Sequence, residues 1–494
     1  MTFILRYILF SFILYTLIAS CSDPHAGTWY TYFQNVGTYS SPRLVDLNDD
    51  GVLDIVMGAG GKEDEYSDSA VIAVNATTGQ LLWKIPGFNQ YVGSAVFKDI
   101  NNDNIPDVFI GGRWAQFSAI NGKDGSIIWH FLSHRTTPNA AGSGWFNFST
   151  PQFIPDQDKD GIDDLIVSNG GNSLAEPFDE NRPAGRILVL SSATGKILAD
   201  AVVPDNKETY MSVVCLDVLQ NGNPIVLFGT GGETIGGHLY KTTLKEIMQQ
   251  DISRSKVLAE SKSKGFIASP VWVDITRDGI HDIVVNQVDG TIMAIEGKTD
   301  SVLWKLEFPG TEAYTMPAIG DFNGDSIPDL FCNFAIGTFP KLERSVRFMV
   351  NGKTGNIEYR DTIRSFQYAS PVAADFNGDG IDEVLVNQSE LKRKQFEDVY
   401  FSYLLVFDFK NNKIYPIGDT MPATNLASTP WIGDIDNDKE MDIVYCAVKY
   451  DDIRFDLQKP QGLLLGHYRS PFKINKRINW GAYMGSGYTG VYNL

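Results

Sequence analysis

Residues 41–61, SPRLVDLNDDGVLDIVMGAGG, contain a short apolar run opened by Ser-Pro, an Asp-rich bend, and a second apolar run closing on glycine. The runs have the length and β-branched character of strands, and the bend carries the Asp, Asn and Gly that turn a chain. A second unit follows at residues 70–85, AVIAVNATTGQLLWKI, and reads as strand, tight turn, strand. Together the two units predict four short strands in one stretch of chain.

The pattern then repeats, with acidic bends beginning at Asp46, Asp99, Asp156, Asp217, Asp274, Asp321, Asp375 and Asp434, spaced 47 to 61 residues apart. The second unit returns as FSAINGKDGSIIWHF at 117–131 and IMAIEGKTDSVLWKL at 292–306. A four-stranded unit repeated eight times at this spacing predicts an all-β chain, an eight-bladed β-propeller of four-stranded blades spanning 38–494 as one domain. Closing such blades into a ring leaves only short, protected sheet edges. Pro42, Pro151, Pro270, Pro317, Pro371 and Pro430 precede first strands, where a missing N–H costs least. Trp83, Trp129 and Trp304 close their hairpins and are expected to pack between blades. Polar or Gly/Pro-rich insertions at 62–69, 133–147, 173–185 and 389–398 predict loops, and 241–263 contains a short helical stretch.

In seven of the bends, oxygen-bearing residues occupy positions 1, 3, 5 and 9. These are Asp46, Asn48, Asp50 and Asp54; Asp99, Asn101, Asp103 and Asp107; Asp156, Asp158, Asp160 and Asp164. They continue with Asp274, Thr276, Asp278 and Asp282; Asp321, Asn323, Asp325 and Asp329; Asp375, Asn377, Asp379 and Glu383; and Asp434, Asp436, Asp438 and Asp442. Calcium takes six to eight oxygens, which a tight turn supplies from alternate side chains and a backbone carbonyl. The spacing therefore predicts several structural Ca2+ ions. The loop with Thr276 is expected to bind more weakly, and the bend at Asp217, which has lost its ligands, not at all. The competing reading is that Asp and Asn build Asx-turns. Seven divalent ions would move the formal net charge from −19 to −5.

That acidity, without a basic stripe, excludes nucleic acid as a partner. Residues 1–20 carry one Arg and then an apolar run, the pattern of a secretory signal. The run ends in Ile18-Ala19-Ser20-Cys21, which resembles a bacterial lipoprotein processing box. The resemblance implies cleavage before Cys21 and acylation of its thiol, with residues 21–37 as an anchored segment and lead-in strand. The expected location is then the bacterial cell envelope, with membrane contact through the lipid anchor alone. Cys215, Cys332 and Cys446 sit in separate apolar runs and read as buried free thiols.

The Asp-rich unit, opened by Ser-Pro and closed by Gly, resembles the FG-GAP repeat of integrin α-subunit propellers and their bacterial relatives. The TTGQLLW unit resembles the blade motif of quinoprotein-type propellers. These resemblances imply a propeller with calcium in its blade loops and leave the function open. The favoured expectation is a monomeric, non-enzymatic binding or scaffold module for a protein or glycan at the cell surface. Trp114, Trp145 and Phe146 in insertion loops are candidate contacts. A second expectation, from resemblance to rhamnogalacturonan-lyase propellers, is a polysaccharide lyase using His130, His134, Arg135 and Arg113. A quinoprotein dehydrogenase is disfavoured, because that group binds its quinone with adjacent cysteines and this chain has none.

Overall fold

Each of the eight repeats folds as one antiparallel sheet around a common axis. The computed structural model describes residues 27–131, 146–172, 175–339, 341–365, 368–394, 397–450 and 459–493. In blade one the strands are Arg43–Val45, Asp54–Gly58, Ser67–Asn75 and Leu81–Gly87, which we letter a to d from the axis outward. Strand b is buried throughout and apolar after its opening Asp54, as a strand covered on both faces must be. Strand d alternates exposed and buried residues along most of its length. The six prolines stand one residue ahead of their innermost strands, as expected.

Blade eight joins Trp431–Gly433, Glu440–Tyr450 and Pro460–Lys473 to Trp29–Gln34 from the other end of the chain. That strand runs from Trp29 opposite His467 to Gln34 opposite Gly462. The lead-in segment is thus the outermost strand of the last blade, and it closes the ring.

An antiparallel meander puts the a–b loop and the c–d turn at one end of the blade and the b–c and d–a connections at the other. The two halves of the repeat therefore share a face. Gly297 N–H, from a c–d turn, donates to Asp282 of its a–b loop at 2.9 Å, and Gly352 N–H donates to Asp329 at 3.1 Å.

Tryptophans lock neighbouring blades as the repeat predicts. Trp83 Nε1 donates to Gly122 O of the next blade at 2.7 Å, Trp129 to Ser192 O at 2.8 Å, and Trp304 to Gly352 O at 2.7 Å. The turn must present a bare backbone to the indole: at Gly125, with φ +75°, a Cβ would meet the Trp83 ring at 3.0 Å. Trp29 makes the same contact onto Ala76 O at 2.7 Å and completes the series across the closure.

The residue two positions before the first strand carries a second inter-blade contact. Ser41 N–H donates to Ser94 Oγ (3.2 Å), Ser94 N–H to Thr150 Oγ1 (3.0 Å), and Thr150 N–H to Ser212 Oγ (3.2 Å). Met316 N–H donates to Ser370 Oγ (3.1 Å), Ser370 N–H to Thr429 Oγ1 (3.1 Å), and Thr429 N–H back to Ser41 Oγ (3.0 Å). The circle is interrupted near Met316, which has no hydroxyl to offer. Its neighbour Ser269 instead donates to Ser212 O at 2.9 Å. In six of the eight repeats the residue at the head is thus a hydroxyl that satisfies a backbone N–H of the adjacent blade.

After blade eight the chain turns back across the face of the acidic loops. Trp480 O accepts from Ala373 N–H at 2.9 Å, Gly481 O from Ile432 N–H at 2.6 Å, and Gly490 O from Trp272 N–H at 2.8 Å. Val491–Tyr492 then pairs in parallel with Val271–Val273 of blade five. The tail buries Trp480, Ala482 and Met484 and stops the axial channel at that end. Arg43, fully buried, stacks its guanidinium on the tail's Tyr488 at 3.8 Å from the ring centre.

Residues 389–398 lie largely in a long hairpin, Glu383–Lys394 paired with Glu397–Asp408, instead of a loop. The β-prone run VYFSYLLVF at 399–407 carries its charged partner into the sheet. The helix in 241–263 is Leu244–Met248, opened by Thr243 and Glu246 as a reciprocal cap.

Candidate functional site

The acidic loops occupy the face sealed by the tail. Their first residues accept backbone N–H groups of the same bend, as Asp46 does from Asp49 (2.8 Å) and Gly51 (2.9 Å). At position 9 one carboxylate oxygen accepts the N–H of position 2, as Asp54 does from Leu47 and Glu383 from Phe376. The Asx-turn role is therefore present whether or not an ion is bound.

The second oxygen of position 9 separates the loops. It meets a donor at Asp54 (Asn75, 3.3 Å), Asp107 (Asn101, 3.0 Å), Asp282, Asp329, Glu383 (Asn377, 2.6 Å) and Asp442 (His467, 2.8 Å). At Asp164 it is buried and makes no full hydrogen bond among the described residues, with the Ser192 N–H acting only weakly on that carboxylate. Oxygens of Asp156, Asp158 and Asp164 lie within 4.8 Å of one another, and burial pushes Asp164 up to about 6. Those of Asp434, Asp436 and Asp438 also converge, but Arg469 reaches both Asp436 (3.2 Å) and Asp438. Lys410 stands 3.3 Å from Asp379. Of the seven predicted sites, the loop of blade three suits a divalent ion best, while blade eight supplies its own cation. The bend at Asp217 keeps the turn, with Gly222 N–H on Asp217 at 2.8 Å.

The opposite face opens into an axial cavity of about 660 Å³ walled by all eight blades. Its floor is the hydroxyl circle, with Ser41, Ser94, Thr150, Ser212, Ser370 and Thr429 all lining it, and Tyr483 of the tail lies below. Each of these six oxygens accepts one backbone N–H, and its own O–H meets no acceptor among the described residues and can point at a guest. Two residues earlier in four blades stands a tyrosine: Tyr39, Tyr210, Tyr314 and Tyr368. In extended chain that offset puts the rings on the same side, one step nearer the mouth. Burial first, and then nearby glutamates, raise all four phenols, so they stay protonated.

Ion pairs form the next tier. Arg113 sits 3.1 Å from Glu63, and Arg182 reaches both oxygens of Glu208 at 2.9 Å. Lys264 sits 2.6 Å from Glu312. Tyr210 donates to Glu208 at 3.1 Å and Tyr314 to Glu312 at 2.5 Å, which turns both phenol oxygens into acceptors. Glu233 lines the same cavity, and among the described residues no side chain donates to its carboxylate. Burial and the charge of Glu208 raise it, while Arg113 and Arg182 oppose that rise.

Of the residues expected for lyase chemistry, only His130 and Arg113 are among the described residues, and they lie apart. His134 and Arg135 lie outside the described residues. His130 is on the outermost strand of blade two, hydrogen-bonded to Ser118 at 2.7 Å, and burial lowers it. Arg113 lines the cavity but is held by Glu63. Trp114 and Phe146 are buried against each other, 6% and 1% exposed, so they support the wall and do not offer a platform. Trp145 lies outside the described residues. The repeated Tyr-x-Ser at 39–41, 210–212 and 368–370 was the available sign of the cavity.

Fold and site together define an eight-bladed β-propeller with an axial cavity on the face opposite its acidic loops. The chain belongs to the FAM234A/B β-propeller family, whose model matches residues 29–379. No curated protein matches it at a significant level. It is similar in structure to a europium-containing methanol dehydrogenase, with 9% identity, 89% of this chain and 92% of that one covered, and a TM-score of 0.53. A quinohemoprotein alcohol dehydrogenase from Pseudomonas putida HK5 aligns at 11% identity over 93% and 79% of the two chains, TM-score 0.54. The quinohemoprotein alcohol dehydrogenase of Comamonas testosteroni aligns at 10% identity over 91% and 77%, TM-score 0.51. At these identities the likeness concerns the fold alone. A quinone does not fit the residues present: Cys215, Cys332 and Cys446 are free, buried and in separate blades, and none lines the cavity.

Proposed function

We propose that this propeller is a binding module that takes its ligand into the axial cavity, displayed from the cell envelope by a lipid on Cys21. The observation that carries the reading is a cavity walled by eight blades, with six hydroxyls at its floor and an uncommitted carboxylate on its wall. Concave sites of roughly 300–1,000 Å³ with a few convergent polar groups are the usual form of a ligand pocket. Chemistry is less well supported. The tyrosines are held protonated, the cations are each paired with a carboxylate, and His130 stands on an outer strand.

The experiment is an affinity comparison on the full chain in detergent, with glycan and peptide arrays read on wild type and Ala427→Trp. Ala427 lines the cavity and a large ring there obstructs it. Retention by wild type and loss by the variant supports the reading, whereas equal retention refutes it. Appearance of unsaturated uronate products would favour the lyase alternative. For the anchor, Cys21→Ala is expected to move the protein from the membrane to the soluble fraction.

Calcium enters the proposal at blade three, where Asp156, Asp158, Asp160 and Asp164 would hold it as a structural ion. Calcium at a hundred times its dissociation constant stabilises by about 2.7 kcal/mol per site. Asp164→Asn is expected to remove most of the calcium-dependent rise in melting temperature, and Asp436→Asn little of it. Equal effects of the two substitutions would count against this assignment.

A further inference from the structure

We infer that the cavity selects the end of a saccharide that is neutral or carries an amine, rejects uronates, and uses Glu233 as its specificity residue. The inference rests on the cavity being the binding site. Its floor offers hydroxyl donors, without an acceptor among the described residues, from Ser41, Ser94, Thr150, Ser212, Ser370 and Thr429, set around most of the ring. Such a ring suits a guest with acceptors on every side, as a pyranose has.

Above it the phenols supply ring faces for the C–H faces of a sugar. The phenol oxygens of Tyr210 and Tyr314, whose protons go to Glu208 and Glu312, accept hydroxyl protons.

The charges then decide between sugars. Arg113, Arg182 and Lys264 each already face a carboxylate, so an incoming uronate meets cations whose charge is offset, even though Arg113 Nε keeps no partner among the described residues. Four glutamates, Glu63, Glu208, Glu233 and Glu312, stand against these three cations, and the surplus belongs to Glu233. A half-buried carboxylate that meets no side-chain donor among the described residues favours a guest that brings one. An ammonium does this best, because a hydrogen bond to a charged group is stronger than one between neutral groups.

The test is calorimetric titration of the full chain in detergent with tetramers of glucosamine, N-acetylglucosamine and galacturonate, and with a Lys-rich peptide. Glucosamine tetramer is expected to bind roughly tenfold more tightly than the N-acetyl form, with no binding of galacturonate. Glu233→Gln should erase that tenfold preference.

Galacturonate binding equal to glucosamine, or an equal loss of both sugars in Glu233→Gln, overturns the inference. Ala427→Trp separates the two levels, with Val92→Trp as a second obstruction should the first misfold. If the peptide alone binds and obstruction abolishes it, the sugar assignment falls and the cavity remains the site. If obstruction changes nothing, the cavity reading falls with it.

Discussion

Lys264→Met is expected to lower the free energy of unfolding by about 3–5 kcal/mol, the usual result of leaving a buried charge without its partner. Glu312 is 1% exposed and sits 2.6 Å from the Lys264 ammonium, which also donates to Glu233 O at 2.6 Å. The carboxylate keeps the Tyr314 hydroxyl and the Phe339 N–H at 3.1 Å, and neither neutralises its charge. Adding Glu312→Gln is expected to restore most of the loss, because the amide accepts the same donors uncharged. Denaturant unfolding of the two single variants and the double variant measures the coupling. Additive losses would mean that the pair does not act as one unit.

A chain starting at Val36, compared with one starting at Gly27, is expected to lose cooperative unfolding and to aggregate. The missing strand pairs six residues with blade eight, and its removal bares the edge of Pro460–Lys473. It also removes the Trp29 lock, the Thr31 hydroxyl on Gly79 O at 2.7 Å and the Tyr30–Tyr445 contact at 3.0 Å. A closed ring resists opening only while every neighbour is present, so one lost strand weakens the first and last blades together. A synthetic peptide of residues 27–35 is expected to restore cooperative melting by strand addition. An unchanged melting curve for the shortened chain would show that closure contributes little.

The blades were legible because their signals are local. Asp-rich bends, Thr-Gly turns and tryptophans recur at fixed offsets, and each does in space what its spacing suggests. The acidic loops were legible as bends but not as a graded set. Whether a loop has room for an ion depends on what reaches it from elsewhere, as Arg469 reaches Asp436 and Asp438 from a strand about thirty positions away. The cavity was hidden for the same reason. Glu233, Arg182 and Arg113 come from different blades, and only ring closure makes them neighbours. The tail was illegible too, since residues 474–493 carry no repeat and gain their structure by capping the channel. The charged segment 389–398 misread as a loop because its partner strand, not its own sequence, holds it in the sheet.

Hydrogen exchange with and without saturating glucosamine tetramer tests the cavity most directly. Protection is expected at 39–41, 92–94, 231–235 and 368–370, the segments that wall the mouth and floor, with the acidic loops unchanged. Protection confined to the acidic-loop face, or none at saturation, would contradict the account.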